Sequence, residues 1–290
     1  MLNEEMMKKI VSEVVAQLSE EKPVKAAAAA PVSASDEFVP DVSVGEHVDT
    51  YNVVNPANPA YKTFKRNSPG RLGIGNAGPR YLTRSALRFE ADFATAVDAF
   101  RYELPKEFVE ELGIFEVKTL CESKDEFILF PDKGRKLNDE SVALIKEKCR
   151  KKPQVQIFIS DGHAAIALEH NIKALLPTLM EGLKAEGISV GDPFFCRFGR
   201  VAIEDEVGEL TQADIVIDLI GERPALAASD SMSAYIAYKP TMGMSESNRT
   251  VLSNISKQGT PPAEAGAHLV DLVKLILEKK VTGTELAQMM

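Results

Sequence analysis

Residues 153–183 read PQVQIFISDGHAAIALEHNIKALLPTLMEGL, and this stretch decides the fold class. Pro153 stops whatever precedes it. Val155, Ile157, Phe158 and Ile159 then form a short apolar run of strand length, and Ser160-Asp161-Gly162 supplies a turn. Beyond it, Leu168, Ile172, Leu175, Leu176, Leu179 and Leu183 recur at helical spacing, with Pro177 expected to break the helix in two. Downstream, strand patterns at Phe194 to Phe198, Ile215 to Ile220 and Tyr235 to Tyr238 alternate with helical or loop segments. An amphipathic helix from about Pro262 to Glu278 closes the series. Alternating strands and helices imply an α/β fold whose parallel sheet is covered on both faces. Ligands in such sheets sit outside the carboxyl ends of the strands, here Ser160-Asp161-Gly162 and Gly221-Glu222-Arg223-Pro224.

Upstream, Ile114 to Leu120 and Glu126 to Phe130 read as β-rich pieces, followed by a helix from about Asp139 to Lys148. A turn-rich stretch from Asn67 leads into an Ala-rich helical pattern through Leu87, Ala91, Ala94, Val97 and Phe100. The first segment sets Met7, Ile10, Val11, Val14, Val15 and Leu18 at helical spacing between Glu and Lys residues. From Pro23 an Ala, Pro and Ser-rich stretch has the composition of a linker. The division expected is an amphipathic helix at 1–22, a linker at 23–48, a small helical module at 49–105 and the α/β domain at 106–290. A short tethered helix gains most by burying its stripe against a partner, or else folds back on its own chain.

Composition narrows the function classes. The formal net charge of −9 argues against nucleic-acid binding, which needs clustered Lys and Arg. Cys121, Cys149 and Cys196 are widely spaced and lack a C-x-x-C pair, so neither a disulfide framework nor a zinc site is indicated. No apolar run approaches the ~20 residues that span a bilayer, and a secretory h-region is lacking, so an intracellular, membrane-free location is expected.

Short motifs mostly fail on context. Gly73-Ile74-Gly75-Asn76-Ala77-Gly78 matches G-x-G-x-x-G, but the dinucleotide fingerprint requires a strand before it and a helix immediately after. Asp161-Gly162-His163 begins the D-x-H-x-x-G loop with which some corrin enzymes supply an axial histidine, yet Ile166 stands where glycine is needed. His163 therefore reads as an ordinary polar residue at a helix start. Gly243-Met244-Ser245-Glu246-Ser247 lacks the last glycine of a nucleophile elbow. Neither metal-ligand spacing nor a phosphate loop occurs, and no self-contained catalytic set is visible. Glu222 and Arg223 at a strand end either orient a ligand or pair with each other and cap a neighbouring helix.

Longer stretches carry a resemblance. RLGIGNAGPR at 71–80, Thr83, Leu87-Arg88-Phe89, Gly199-Arg200-Val201, Leu219 to Pro224, Ser231 to Tyr235, Arg249, Ser253-Asn254-Ile255 and Gly259 to Ala265 together resemble the small subunit of ethanolamine ammonia-lyase. The likeness runs from Arg71 to Leu286. It implies a Rossmann-like domain that closes over adenosylcobalamin, with the catalytic side chains on a large partner subunit. It also implies cobalt–carbon homolysis, hydrogen abstraction from ethanolamine, and release of acetaldehyde and ammonia. By the same resemblance the cofactor contacts fall on Val201, Glu222 and Val251, and the incomplete histidine loop implies a base-on cofactor. Small subunits of this family often travel inside bacterial microcompartments, and residues Leu2 to Leu18 resemble the encapsulation peptides that dock cargo to shell proteins. The competing readings are a structural assembly protein of a microcompartment and a nicotinamide oxidoreductase, the latter resting on the glycine motif alone.

Overall fold

The computed structural model describes residues 58–67, 71–226 and 228–289. The expected N-terminal helix and its linker lie outside these residues. The chain order is α1 (Ala60–Arg66), β1 (Asn76–Ala77), β2 (Arg80–Tyr81), α2 (Thr83–Arg101), α3 (Lys106–Glu111), β3 (Phe115–Lys118), α4 (Lys124–Leu129) and α5 (Asp139–Lys148). There follow β4 (Val155–Ser160), α6 (Ile166–Ala185), β5 (Phe194–Arg197), α7 (Ile203–Thr211), β6 (Ile215–Gly221), β7 (Met232–Tyr238), β8 (Thr250–Ile255), α8 (Pro262–Lys279) and α9 (Gly283–Met289).

Strands β4 and β6 are buried at every position, Gln156, Ser160 and Asp218 included, as central strands covered on both faces are. They pair in parallel from Val155↔Ile215 to Ser160↔Ile220, and they centre a six-stranded sheet of order β3-β5-β4-β6-β7-β8. Val155, Ile157 and Ile159 face one layer, where Leu168, Ile172, Leu175 and Leu179 of α6 pack with Leu269, Val273 and Ile276 of α8. Phe158, Phe194, Cys196 and Val216 face the other, against Ile145 of α5 and Ile203 and Val207 of α7. Coverage of both faces is therefore as expected.

The sheet is mixed, not parallel throughout. Strands β3, β5, β4 and β6 run in parallel, whereas β6–β7 and β7–β8 are antiparallel. A parallel return needs a crossover of a dozen or more residues, usually helical. Residues 222–231 between β6 and β7 contain no helix among the described residues, so β7 turns back alongside β6.

Two further expectations are corrected. Glu126 to Leu129 belongs to α4, with Phe130 as its C-cap, and not to a strand. Ser123 caps this helix by accepting from the Glu126 N–H at 3.3 Å, while Glu126 Oε2 accepts at 3.0 Å from the N–H of Glu122, the residue before the cap. Pro177 does not divide α6, which runs unbroken through it. The helix is held by tertiary contact: α8 packs so closely that a Cβ on Gly266 would sit 3.0 Å from the Leu175 carbonyl oxygen, and one on Gly182 would sit 2.6 Å from Val270. Packing of this density outweighs the single backbone hydrogen bond that proline removes.

Helix α2 forms where expected, but its apolar pattern is not a core stripe: Leu87 is 62% exposed, and only Ser85 and Ala99 are buried. The Gly73–Gly78 stretch builds a two-strand hairpin with positive φ at all three glycines, a loop role and not a dinucleotide turn. No helix among the described residues is long and apolar enough to cross a membrane.

Candidate functional site

The carboxyl ends of β4, β5 and β6 open into a pocket of about 350 Å³. Its floor exists because two glycines let backbones meet. A Cβ on Gly162, whose φ is +58°, would lie 2.4 Å from the Gly221 carbonyl oxygen, and a Cβ on Gly221 would lie 2.2 Å from that of Ala164. The His163 N–H donates to the Gly221 carbonyl at 3.3 Å and ties the two strand ends together.

Glu222 leaves the end of β6 into this pocket. Its carboxylate is fixed on three sides: Ser231 Oγ donates to Oε2 at 2.6 Å, while Ser233 Oγ at 2.5 Å and the Asn254 N–H at 2.8 Å donate to Oε1. Two carboxylate oxygens offer about four acceptor directions, so about one, on Oε2, is left for a ligand. No ion pair with Arg223 forms among the described residues, and the expected alternative of a mutual Glu222–Arg223 pair is not what the structure builds.

Val201 and Ala202 line the same pocket just before α7. Val251 does not line it. It sits on the edge strand β8, 43% exposed, opposite Tyr235, which does line the pocket. Of the three cofactor positions expected from sequence, two share the pocket and the third flanks it one strand over.

His163 was expected as an ordinary polar residue, yet it forms part of the pocket wall. Its ring stacks on Phe100 at 5.6 Å and meets the edge of Phe127 at 5.3 Å. Burial, then the charges of Arg200, Lys124 and Arg223, lower its pKa to about 4, so the imidazole is neutral at pH 7. Below it, Lys124 Nζ donates to the Gly162 carbonyl at 2.8 Å, and burial lowers this ammonium below the usual lysine range. Asp161 is fully buried, and its carboxyl is raised to about 6 by burial against the opposing pull of Lys124, Arg197 and the Phe198 and Gly199 backbone N–H groups.

Arg135, Arg200 and Phe127 complete the wall. Sequence reasoning missed Arg135 and Phe127, which come from distant segments and carry no motif. Arg200 lay within the Gly-Arg-Val signal without being singled out.

Among the described residues the pocket has no nucleophile–base pair. Cys121, Cys149 and Cys196 are free and buried, and burial raises each thiol, Cys149 to about 11, so these are inert packing residues. Ser245 Oγ contacts only Ser247 Oγ, at 2.9 Å, among the described residues. No group of three or more His, Cys, Asp or Glu side chains among them could hold a metal ion.

The family model of the ethanolamine ammonia-lyase light chain matches residues 58–287, which takes in the whole sheet and every wall of the pocket. The chain belongs to the ethanolamine ammonia-lyase light-chain family. Curated relatives agree with this membership. An ethanolamine ammonia-lyase small subunit of Clostridium perfringens is 45% identical over 286 residues, covering 97% of each chain. One of Clostridium tetani is 44% identical over 294 residues and 99% of each chain, and one of Listeria innocua is 40% identical over 292 residues, covering 98% of this chain and all of the relative. Membership of this family makes the chain a subunit of a lyase, acting as part of a complex.

Proposed function

We propose that this chain is the small subunit of an adenosylcobalamin-dependent ethanolamine ammonia-lyase, forming one wall of the cofactor site opposite a large subunit that carries the catalytic side chains. The observation that carries the reading is Glu222, a carboxylate fixed by three donors with one acceptor direction left, at the mouth of a pocket too small to enclose a corrin. A pocket of this size takes one edge of such a ligand and leaves the rest to another surface.

The residues present fit the group. Glu222 can accept from an amide N–H on the corrin rim, and its three donors hold it in place before the ligand arrives. Val201, Tyr235 and the exposed Val251 offer an apolar margin beside it. When bound, adenosylcobalamin supplies the radical hydrogen abstraction by which ethanolamine becomes acetaldehyde and ammonia. The base-on form of the cofactor belongs to the same proposal and rests on the D-x-H-x-x-G loop, which is incomplete at Ile166. The parallel half of the sheet, with its crossover helices, supports the Rossmann-like reading of this cofactor-facing domain.

The deciding experiment is co-purification with the large subunit, followed by ammonia release from ethanolamine with and without adenosylcobalamin. Release that depends on both subunits and on the cofactor is expected. Turnover by this chain alone, or indifference to the cofactor, would overturn the proposal and favour a structural assembly role. We further propose that residues 2–18 are an encapsulation peptide that docks on a shell protein and brings the enzyme into a cytoplasmic bacterial microcompartment. The amphipathic spacing and the Ala/Pro linker support it. Unchanged encapsulation after their deletion would remove it.

A further inference from the structure

The pocket wall carries three guanidinium groups, Arg135, Arg200 and Arg223, in a chain of formal net charge −9. Their placement is built. The 3-10 turn Lys133–Arg135 backs onto Arg200, whose N–H donates to the Gly134 carbonyl at 3.0 Å. Gly134 has no side chain to spare: a Cβ there would already lie 3.2 Å from Arg200 Cγ. The Arg200 guanidinium lies 4.3 Å over the Phe127 ring and donates from Nη2 to the Phe127 carbonyl at 2.6 Å.

These charges are only weakly compensated, by one long and exposed ion pair at Arg135. Arg200 Nε is buried with no hydrogen-bond partner. The carboxylate nearest to Arg135, Asp132, is at 3.9 Å and is 97% exposed. Arg223, exposed at the end of β6, makes no ion pair or hydrogen bond among the described residues. The two carboxylates on the same wall are committed elsewhere, Glu222 to Ser231, Ser233 and the Asn254 N–H, and Glu246 to Arg249 at 3.3 Å. The surplus is felt locally: beside burial, which acts most, Arg200 and Arg223 help to hold His163 neutral, and beside burial Arg135 lowers the pKa of Arg200.

We propose that Arg135, Arg200 and Arg223 form an anion subsite for a phosphate diester, and that its occupant is the phosphodiester in the nucleotide loop of cobalamin. A planar guanidinium fork matches phosphate oxygens in a way that a lysine point charge does not, and Arg200 Nε is an unspent donor for one of them. The inference rests on the cofactor reading above and adds to it the part of the cofactor that this wall holds.

The test uses the complex with the large subunit and two probes, adenosylcobalamin and adenosylcobinamide. The second has the same corrin and adenosyl group but no nucleotide loop, and so no phosphate. Arg135→Gln and Arg223→Gln alter exposed or half-exposed side chains, and Arg200→Lys keeps the charge while losing the fork. Each is expected to weaken adenosylcobalamin binding by roughly tenfold and to leave adenosylcobinamide binding within about twofold of wild type. Inorganic phosphate is expected to compete with the first probe and not with the second. Urea midpoints equal to wild type confirm that the variants fold. Equal loss for both probes, or loss for neither, overturns the subsite. Phosphate that binds the wild type without displacing adenosylcobalamin also overturns it, because the ligand is then a free anion. If neither corrin binds the wild-type complex, it is the cofactor reading that has failed.

Discussion

Replacing Arg249 with methionine should cost this protein a large part of its stability, and the cost should grow with pH. The Arg249 side chain is wholly buried. It donates from Nε to Glu204 at 2.8 Å, from Nη2 to Asp205 at 2.5 Å, and from Nη1 to the Met244 carbonyl at 3.2 Å and to Glu246 at 3.3 Å. Asp205 Oδ2 in turn accepts from the Gly243 and Met244 N–H groups at 3.0 and 3.1 Å, so one guanidinium ties the 243–249 loop to the first turn of α7. Methionine fills much of the volume but leaves two buried carboxylates unpaired, a loss of about 3–5 kcal/mol. For a domain of this size the melting temperature should fall by roughly 6–20 °C.

The pH dependence follows from Glu204. Burial, and next the Asp218 charge, raise its carboxyl well above the usual range even with Arg249 opposing. Without Arg249 it rises further. A carboxyl raised in the folded state contributes stability below its unfolded pKa and loses it as pH climbs through the folded value. The variant should therefore be less impaired near pH 5 than near pH 8, with Glu204→Gln restoring part of the loss at the higher pH. Urea unfolding of both variants and the wild type at the two pH values measures this. A cost below about 1 kcal/mol near pH 8, or the same cost at both pH values, would refute the reasoning.

Gly221→Ala should destabilise by about 3 kcal/mol or more and disorganise the pocket floor, because the new Cβ meets backbone oxygens of Ala164 at 2.2 Å and Asp161 at 2.7 Å; an unchanged urea midpoint would contradict it. Asp161→Asn should gain on the wild type by up to about 3 kcal/mol as pH rises from about 4 to above 6. The Asp161 carboxyl is raised from 3.8 to about 6, so wild-type stability is intact below the lower value and lost through the higher. A difference between the two urea midpoints that stays flat with pH would count against it. Glu222→Ala should weaken apparent adenosylcobalamin affinity of the complex by about 1–3 kcal/mol, or roughly 5- to 150-fold, read from corrin absorbance titration. Unaltered affinity would return Glu222 to a purely structural role.

Local signals in the chain were enough for much of this protein. The apolar runs Val155–Ser160 and Ile215–Gly221 marked the two central strands, helical spacing marked α5, α6 and α8, and the turns after β4 and β6 marked the end of the sheet where the pocket opens. Each depends on side-chain periodicity or turn chemistry within a few residues, which a sequence displays directly. The S-x-x-E cap of α4 was equally local and was overlooked beneath a β-rich composition. Tertiary contact alone decided the rest. Packing against α8 kept α6 whole through Pro177, and the reversal of β7 and β8 brought Ser231, Ser233 and the Asn254 N–H onto Glu222. Close backbone approach at Gly162 and Gly221 set Arg135, Phe127, His163 and Arg200, from segments far apart in the chain, around one opening. Such groups share a wall only after the chain has folded, because electrostatic and steric proximity is a property of space and leaves no periodic trace in the order of residues.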